Sequence, residues 1–270
     1  MMSTPAICSE GPAFARHRTL ARLGFVPEEN VFRRDGVLFR QSGGWLVLET
    51  DGQTPPTDPL REPQPQLGLW KWIEIGGHAR RVFEIPAALV AADEDEELVA
   101  EESQSLDSFL QWALHSAANG IPPNWSPPAR AQVESWLPAG ALTVQAGALV
   151  RQGKLILSPE RWALRCSILT EVPADLPEAR AQWLRELAAD AQSQWRMIRF
   201  GFLGESGSEA LVAETDFTGA PHSEKLFFTG LDGLKHAVTW LGEAAEILAD
   251  ATVASRALAR SPNKQTNRKE

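Results

Sequence analysis

Alternating apolar and polar residues, interrupted by turn residues, predict an antiparallel β-meander in the first third of the chain. Asp35-Gly36 is the strongest turn signal, because both residue types tolerate positive φ and favour a two-residue hairpin. Ser42-Gly43-Gly44 turns the chain again before a third apolar run, and a later hairpin turns at Gly76-Gly77. The predicted strands are residues 31–34, 37–39, 45–49, 69–75 and 81–85.

Helical periodicity alternates with further strand patterns from residue 109 onward. Thr229 with Asp232 resembles the cap of a last helix, and residues 226–228 before it suggest a short strand or a lead-in. The predicted helices span residues 109–118, 129–137 and 175–197, and the predicted strands span residues 141–144, 148–151, 155–157, 162–169, 197–203 and 210–217.

Three short motifs occur twice in the same order, which indicates an internal duplication. Residues 36–41 read Gly-Val-Leu-Phe-Arg-Gln, and residues 147–152 read Gly-Ala-Leu-Val-Arg-Gln. The sequence therefore predicts an α+β fold of two tandem related units, each an antiparallel β-meander packed against helices. The other repeated motifs are Glu-x-Pro-Ala, which starts at residues 84 and 171, and Gln-Trp, which occurs at residues 111–112 and 182–183.

Proline, glycine and charge runs set the boundaries of the two predicted units. A Pro-rich segment and an acidic segment interrupt the first unit and have no counterpart in the second, so we interpret both as insertions. The two ends lack apolar periodicity and are predicted to be disordered. The ranges are 14–120 for the first, incomplete unit, 51–66 and 93–107 for its insertions, 124–255 for the second, fuller unit, and 1–13 and 256–270 for the ends.

The composition of the chain disfavours several classes of function. The net charge of -9 disfavours nucleic-acid binding, which needs a basic surface. Cys8 and Cys166 are too few for a disulfide framework, and Cys166 lies in an apolar alternation that favours a buried free thiol over a reactive one. We expect no metal, no cofactor, no membrane segment and a cytoplasmic location.

Catalytic signatures are missing from the chain, which favours a protein that is not an enzyme. The five histidines are scattered singly, and none has a second His or Cys at metal-ligand spacing. An enzyme or small-molecule binder with a cleft between the two units is the alternative. Its best candidates are His115 and an acid–base pair in three dimensions between His222 and Asp216.

Tryptophans are the remaining candidates for a binding surface. Trp70 and Trp72 share one face of a predicted strand, where they are either core residues or part of an apolar surface for a protein partner. Trp45 joins them as a candidate partner-binding residue. Trp183 and Trp195 are expected in the core, where they would pack a helix onto a sheet.

The element order of residues 129–250 resembles the type III secretion chaperone fold, shared by the related bacterial YbjN family. The order is helix, three-strand meander, helix, two-strand hairpin and C-terminal helix. Leu176-Pro177-Glu178 resembles the start of the family's second helix, and Gly204-Glu205-Ser206-Gly207 resembles its turn between the fourth and fifth strands. The resemblance implies a small, acidic, cytosolic protein without enzymatic activity that pairs as a homodimer and holds an extended client segment against apolar patches.

A tandem chain departs from that family pattern, because its two units are able to pack on each other as a pseudo-dimer. We therefore expect either a monomer with an internal pseudo-dimer or a homodimer. The leading hypothesis is a chaperone-like module that binds a client or partner protein through apolar sheet and helix surfaces. The identity of that partner does not follow from the sequence.

Overall fold

The computed structural model describes ten stretches of the chain and shows a mixed α+β fold with mainly antiparallel sheets. The α+β prediction is therefore confirmed. The acidic insertion up to residue 103, the first 18 residues, the last ten residues and most of the Pro-rich insertion lie outside the described part. The described residues are 19–42, 44–50, 60, 68–75, 78–91, 104–119, 124–146, 149–169, 178–204 and 209–260.

The first half of the chain forms a six-stranded antiparallel sheet in the order β1-β2-β3-β4-β6-β5. The predicted hairpin at Asp35-Gly36 is confirmed, since both residues have positive φ, 45° and 76°. β5 and β6 form the second predicted hairpin, which places β5 at the sheet edge. The strands are β1 (Val26–Glu28), β2 (Val31–Arg34), β3 (Val37–Ser42), β4 (Trp45–Thr50), β5 (Trp70–Ile75) and β6 (His78–Pro86).

A short parallel pair and a helix follow this sheet, and the second half then contains further strands and helices. β11, β12, β14 and β13 form a four-stranded antiparallel sheet in that order, while β9 and β10 form a separate hairpin. The remaining elements are β7 (Val90–Ala91), β8 (Gln104–Ser105), α1 (Leu106–Asn119), α2 (Arg130–Trp136), β9 (Thr143–Ala146), β10 (Leu149–Gln152), β11 (Lys154–Ser158), β12 (Arg161–Leu169), α3 (Glu178–Gln194), β13 (Arg199–Leu203), β14 (Ala210–Asp216) and α4 (Glu224–Arg260).

The buried apolar side chains of both halves belong to one contiguous cluster, which extends from Leu20 to Leu241. In the first sheet, Phe83 packs against Phe109 and Trp112 of α1, with ring centroids 5.5 and 4.9 Å apart. In the second half, α4 lies over β9, β12 and β14. Removal of these side chains from water is the main stabilising term of the fold.

Glycine lets α4 approach the second sheet closely. A Cβ atom on Gly230 would lie 2.5 Å from the ring of Phe217, which is closer than carbon atoms pack. A Cβ atom on Gly233, one turn further along, would lie 3.4 Å from Ile198. Only the first of these glycines is therefore required by the packing of helix on sheet.

The structure corrects both ends of the last predicted helix. α4 begins at Glu224, so residues 226–228 are helical and the suggested strand is wrong. Ser223 is the cap, since its Oγ accepts a hydrogen bond from the N–H of Leu226 at 3.2 Å. The helix continues to Arg260, so residues 256–260 are helical where we expected disorder.

The repeated six-residue motif gives a strand in each half, but in different surroundings. β3 lies inside the six-stranded sheet between β2 and β4, whereas β10 pairs with β9 alone. The duplication and the division into two units therefore stay predictions. In the part of the chain that the structure describes, no helix has the length and apolar character needed to span a bilayer.

Candidate functional site

Trp70 and Trp72 lie inside the protein, with 1% and 8% of their surface exposed. The indole Nε1 of Trp70 donates to Oγ of Ser116 at 2.9 Å, and its ring meets Phe83 edge-on at 5.3 Å. The sequence left core packing and a partner surface open for these two residues, and their burial agrees with core packing. In this conformation they give no exposed aromatic surface.

Trp45, the third candidate, is half-buried at the start of β4. The guanidinium of Arg196 lies over its ring, 5.5 Å from the centroid. This cation–π contact joins the first sheet to the segment that follows α3.

Trp183 corrects an expectation, because 44% of its surface is exposed although we expected a core residue. The buried face of α3 is formed by Leu184, Ala188 and Ala191. Trp183 precedes Leu184 by one position, which turns its side chain about 100° away from that face.

Trp183 begins a row of partly exposed apolar side chains that crosses from α3 to α4. Leu187 and Trp195 follow at helical spacing along α3 and just beyond its end, and both are half-buried. The ring of Trp195 lies 6.3 Å from that of Trp240 on α4, which is 38% exposed. We call the set Trp183, Leu187, Trp195 and Trp240 the tryptophan ridge.

Buried polar contacts fix the end of the helix that carries this ridge. Nζ of Lys71, on β5, lies 2.9 Å from Oε2 of Glu84 and donates to the carbonyls of Gln192 and Trp195 at 2.8 and 2.6 Å. Arg196 donates to the other carboxylate oxygen of Glu84 at 2.8 Å. The lysine thereby holds α3 against the first sheet.

Burial lowers the pKa of Lys71 below its ordinary value, and the neighbouring Glu84 carboxylate opposes that shift. The ammonium donates hydrogen bonds to the carbonyls of Gln192 and Trp195 and forms an ion pair with Glu84. Lys71 therefore has the contacts of a structural ion pair.

A second buried ionic network lies on the four-stranded sheet, on the face opposite to α4. Glu214 accepts from Arg161, Arg165 and Arg199 at 2.6, 2.7 and 3.1 Å, and Arg199 also donates to Asp216 at 2.6 Å. Burial raises the pKa of Asp216, while Arg199 lowers it. Each carboxylate is held by arginine, which suits a structural network.

The residues of the enzyme alternative do not form an acid–base pair. Asp216 accepts hydrogen bonds from Arg199 and from the N–H of Thr218. Nε2 of His222 instead lies 2.8 Å from the carbonyl oxygen of Ser126. His222 and Asp216 share no hydrogen bond, and His115 is exposed on α1. Among the described residues no group of three or more His, Cys, Asp or Glu side chains is arranged to hold a metal ion.

An apolar pocket does lie where residues of the two halves meet. Phe109 and Trp112 of α1 line it on one side, and Pro221 and Leu226 line it on the other. Its volume is about 20 Å³, which has room for roughly one water molecule. This pocket is too small for an organic substrate.

Comparisons of the chain with protein-family models, curated proteins and solved structures gave no match. The fold and the site thus define an α+β protein with an exposed aromatic ridge. This description comes from the geometry of the structure alone. Sequence reasoning missed Trp183 because it assigned that residue to the core, and it made no assignment for Trp240. The position of Trp183 relative to Leu184 and Ala188 is the signal that identifies it.

Proposed function

We propose that this protein is a chaperone-like binding module without enzymatic activity, and that a client or partner protein binds at the tryptophan ridge. The observation that carries the proposal is the exposure of Trp183 and Trp240 on two helices that contact each other. Tryptophan is enriched among residues that dominate binding energy, since it buries a large area at a low cost in side-chain entropy.

The ridge suits a partner because its support is rigid. α3 is packed into the core by Leu184 and Ala188, and its last carbonyls are held by Lys71. A preformed apolar surface loses little conformational entropy on binding. The expected ligand is an apolar segment of another protein that covers the two exposed indole rings.

The element order supports a chaperone-like role. α2, strands β9 to β12, α3, the β13–β14 hairpin and α4 follow one another in the order of the resemblance, with four strands between the first two helices where the resemblance has three. A cytoplasmic location belongs to the same proposal, and it is supported by Cys166, a buried free thiol of the kind a reducing compartment preserves.

Affinity capture with the tagged full chain tests the proposal. A partner at stoichiometric level should be retained by the wild type and lost with the double variant Trp183→Ala/Trp240→Ala. Val26→Ala is the matched control, because Val26 is 61% exposed on β1, away from the ridge. Titration of the purified partner should then show at least a tenfold weaker Kd for the double variant. Equal binding by the double variant would reject the ridge as the site.

A further inference from the structure

β11 ends the four-stranded sheet with an apolar edge. The strand pairs with β12 on one side, and no strand of the described residues pairs with its other side. Its three central residues, Leu155, Ile156 and Leu157, are apolar and partly exposed. Proteins usually protect such an edge with charges, prolines or bulges, because its free N–H and C=O groups are a template for another strand.

The outward backbone groups of this edge belong to Leu155 and Leu157. Leu157 lies opposite Trp162. The N–H of Trp162 donates a hydrogen bond to Oγ1 of Thr218, and its C=O accepts one from the N–H of Phe217, so both groups point towards β14. Trp162 therefore makes no ladder bond to Leu157, and the alternation of antiparallel pairs turns the polar groups of Leu157 and Leu155 outward.

A hydrogen bond of Gly153, the residue before β11, follows the same alternation of inward and outward backbone groups. The N–H of Gly153 donates to the carbonyl of Leu142 at 2.7 Å, so the segment before β9 covers the strand edge up to that point. The chain then turns away at Gly140, which has a φ of 75°. Among the described residues, no strand lies beside the edge from Leu155 onward.

We propose that the outer edge of β11 pairs antiparallel with β11 of a second copy of this chain. The strand reads Lys-Leu-Ile-Leu-Ser, which is complementary to itself about Ile156. A two-fold axis at Ile156 places Leu155 opposite Leu157 of the second copy and Lys154 opposite Ser158. The pairing gives four new backbone hydrogen bonds and joins two four-stranded sheets into one sheet of eight strands.

Charge disfavours one alternative register of this pairing. A shift of four residues would bring Lys154 against its own counterpart, and directly opposed like charges are destabilising in a sheet. The centred register opposes apolar with apolar residues and the ammonium with a hydroxyl. The interface is separate from the tryptophan ridge, so the proposal goes beyond the function proposed above and stands or falls independently of it.

Sedimentation equilibrium of the full chain at micromolar concentration tests the pairing. The wild type should have twice the chain mass of 29.6 kDa, and Ile156→Lys should have the chain mass, because two ammonium groups would face each other at the axis. Val150→Lys is the matched control, since Val150 is 67% exposed on the neighbouring β10 and should leave the dimer intact. A single cooperative urea transition of monomeric Ile156→Lys shows that the variant is folded, although its midpoint should be lower than that of the dimeric wild type.

Disulfide trapping tests the register. Ile156 forms a pair without hydrogen bonds across the axis, in which the two Cα atoms lie about 4.5 Å apart, within disulfide range. Ile156→Cys in a Cys8→Ser background should therefore oxidise to a covalent dimer, whereas Val150→Cys should not. A wild type of single mass at all concentrations, or a dimer that survives Ile156→Lys, would overturn the proposal. A monomer whose binding of another protein is abolished by Ile156→Lys would assign the edge to that protein instead.

Discussion

Lys71 and Gln192 are joined by an ammonium–carbonyl hydrogen bond of 2.8 Å, between the first sheet and α3. In the opposite direction, Nε2 of Gln192 donates to the carbonyl of Trp72 at 2.7 Å. The last carbonyls of a helix lack intrahelical partners and lie at the negative end of its dipole, so a buried ammonium there satisfies both. The position of the tryptophan ridge thus depends on a residue about 120 positions earlier in the chain.

Lys71→Met should destabilise the protein by about 3–5 kcal/mol, because it leaves Glu84 and the end of α3 without a buried cation. Urea unfolding followed by tryptophan fluorescence measures the change. Lys235→Met is the control, since Lys235 is only half-buried on α4, and we expect a change of at most about 0.5 kcal/mol. Equal effects of both substitutions would show that the Lys71 contacts contribute nothing specific.

Glu214→Gln should also be strongly destabilising, by about 3–5 kcal/mol, because three buried or half-buried guanidinium groups share this carboxylate. Glu209→Gln provides the comparison. Glu209 pairs with Arg185 and is 25% exposed, so its loss should cost about 0–1 kcal/mol. The free energy of unfolding at pH 7 checks both values, and a Glu214→Gln protein as stable as Glu209→Gln would contradict the network's role.

Gly230→Ala should destabilise the protein by about 1–3 kcal/mol, since its new methyl group would force α4 away from Phe217. Gly233→Ala lies one turn away and meets Ile198 at ordinary contact distance. It should be neutral or stabilising by up to about 1 kcal/mol, because alanine is the better helix former. Thermal unfolding of the two variants compares them directly, and a Tm for Gly230→Ala at or above that of Gly233→Ala would contradict the close packing.

Local patterns predicted the elements well, because hairpins and helices depend on neighbouring residues. Asp35-Gly36 has the positive φ values that its residue types favour, and β5 pairs with β6 around the Gly76-Gly77 signal. The start of α4 was misjudged for an equally local reason. Gly230 and Gly233 weaken the helical pattern, yet Gly230 is required where the helix meets the sheet.

Contacts between residues far apart in the chain determine the features that could not be predicted from the sequence. Lys71 alternates with Trp70 and Trp72 on one strand, and nothing local indicates that its ammonium is covered by the end of a distant helix. The two faces of β5 have different neighbours, since Trp70 donates to Ser116 of α1 and Lys71, on the opposite face, donates to the carbonyl of Trp195 at the end of α3. By contrast, the helical periodicity around Trp183 contains enough information to predict its exposure.

Cys166 predicts how stability depends on pH in the alkaline range. Burial raises the pKa of this thiol from 9.0 to about 11, so between these values the native state keeps a proton that the unfolded state has lost. Stability contributed by the thiol is therefore complete below pH 9 and is lost as the pH rises towards 11, by at most about 2.5 kcal/mol. The Cys166→Ala variant has no thiol at this position, so it should not show this loss of stability.

Urea unfolding of the wild type and of Cys166→Ala at pH 7, 8, 9, 10 and 11 isolates the thiol, because all other titrating groups are shared. Removal of the packed sulfur should make the variant less stable by a constant amount up to pH 8. Above pH 9 the wild type should lose stability faster, so that the difference between the two proteins narrows. A difference that stays constant to pH 11 would show that the thiol ionises as easily in the native state as in the unfolded chain, and that its surroundings admit water.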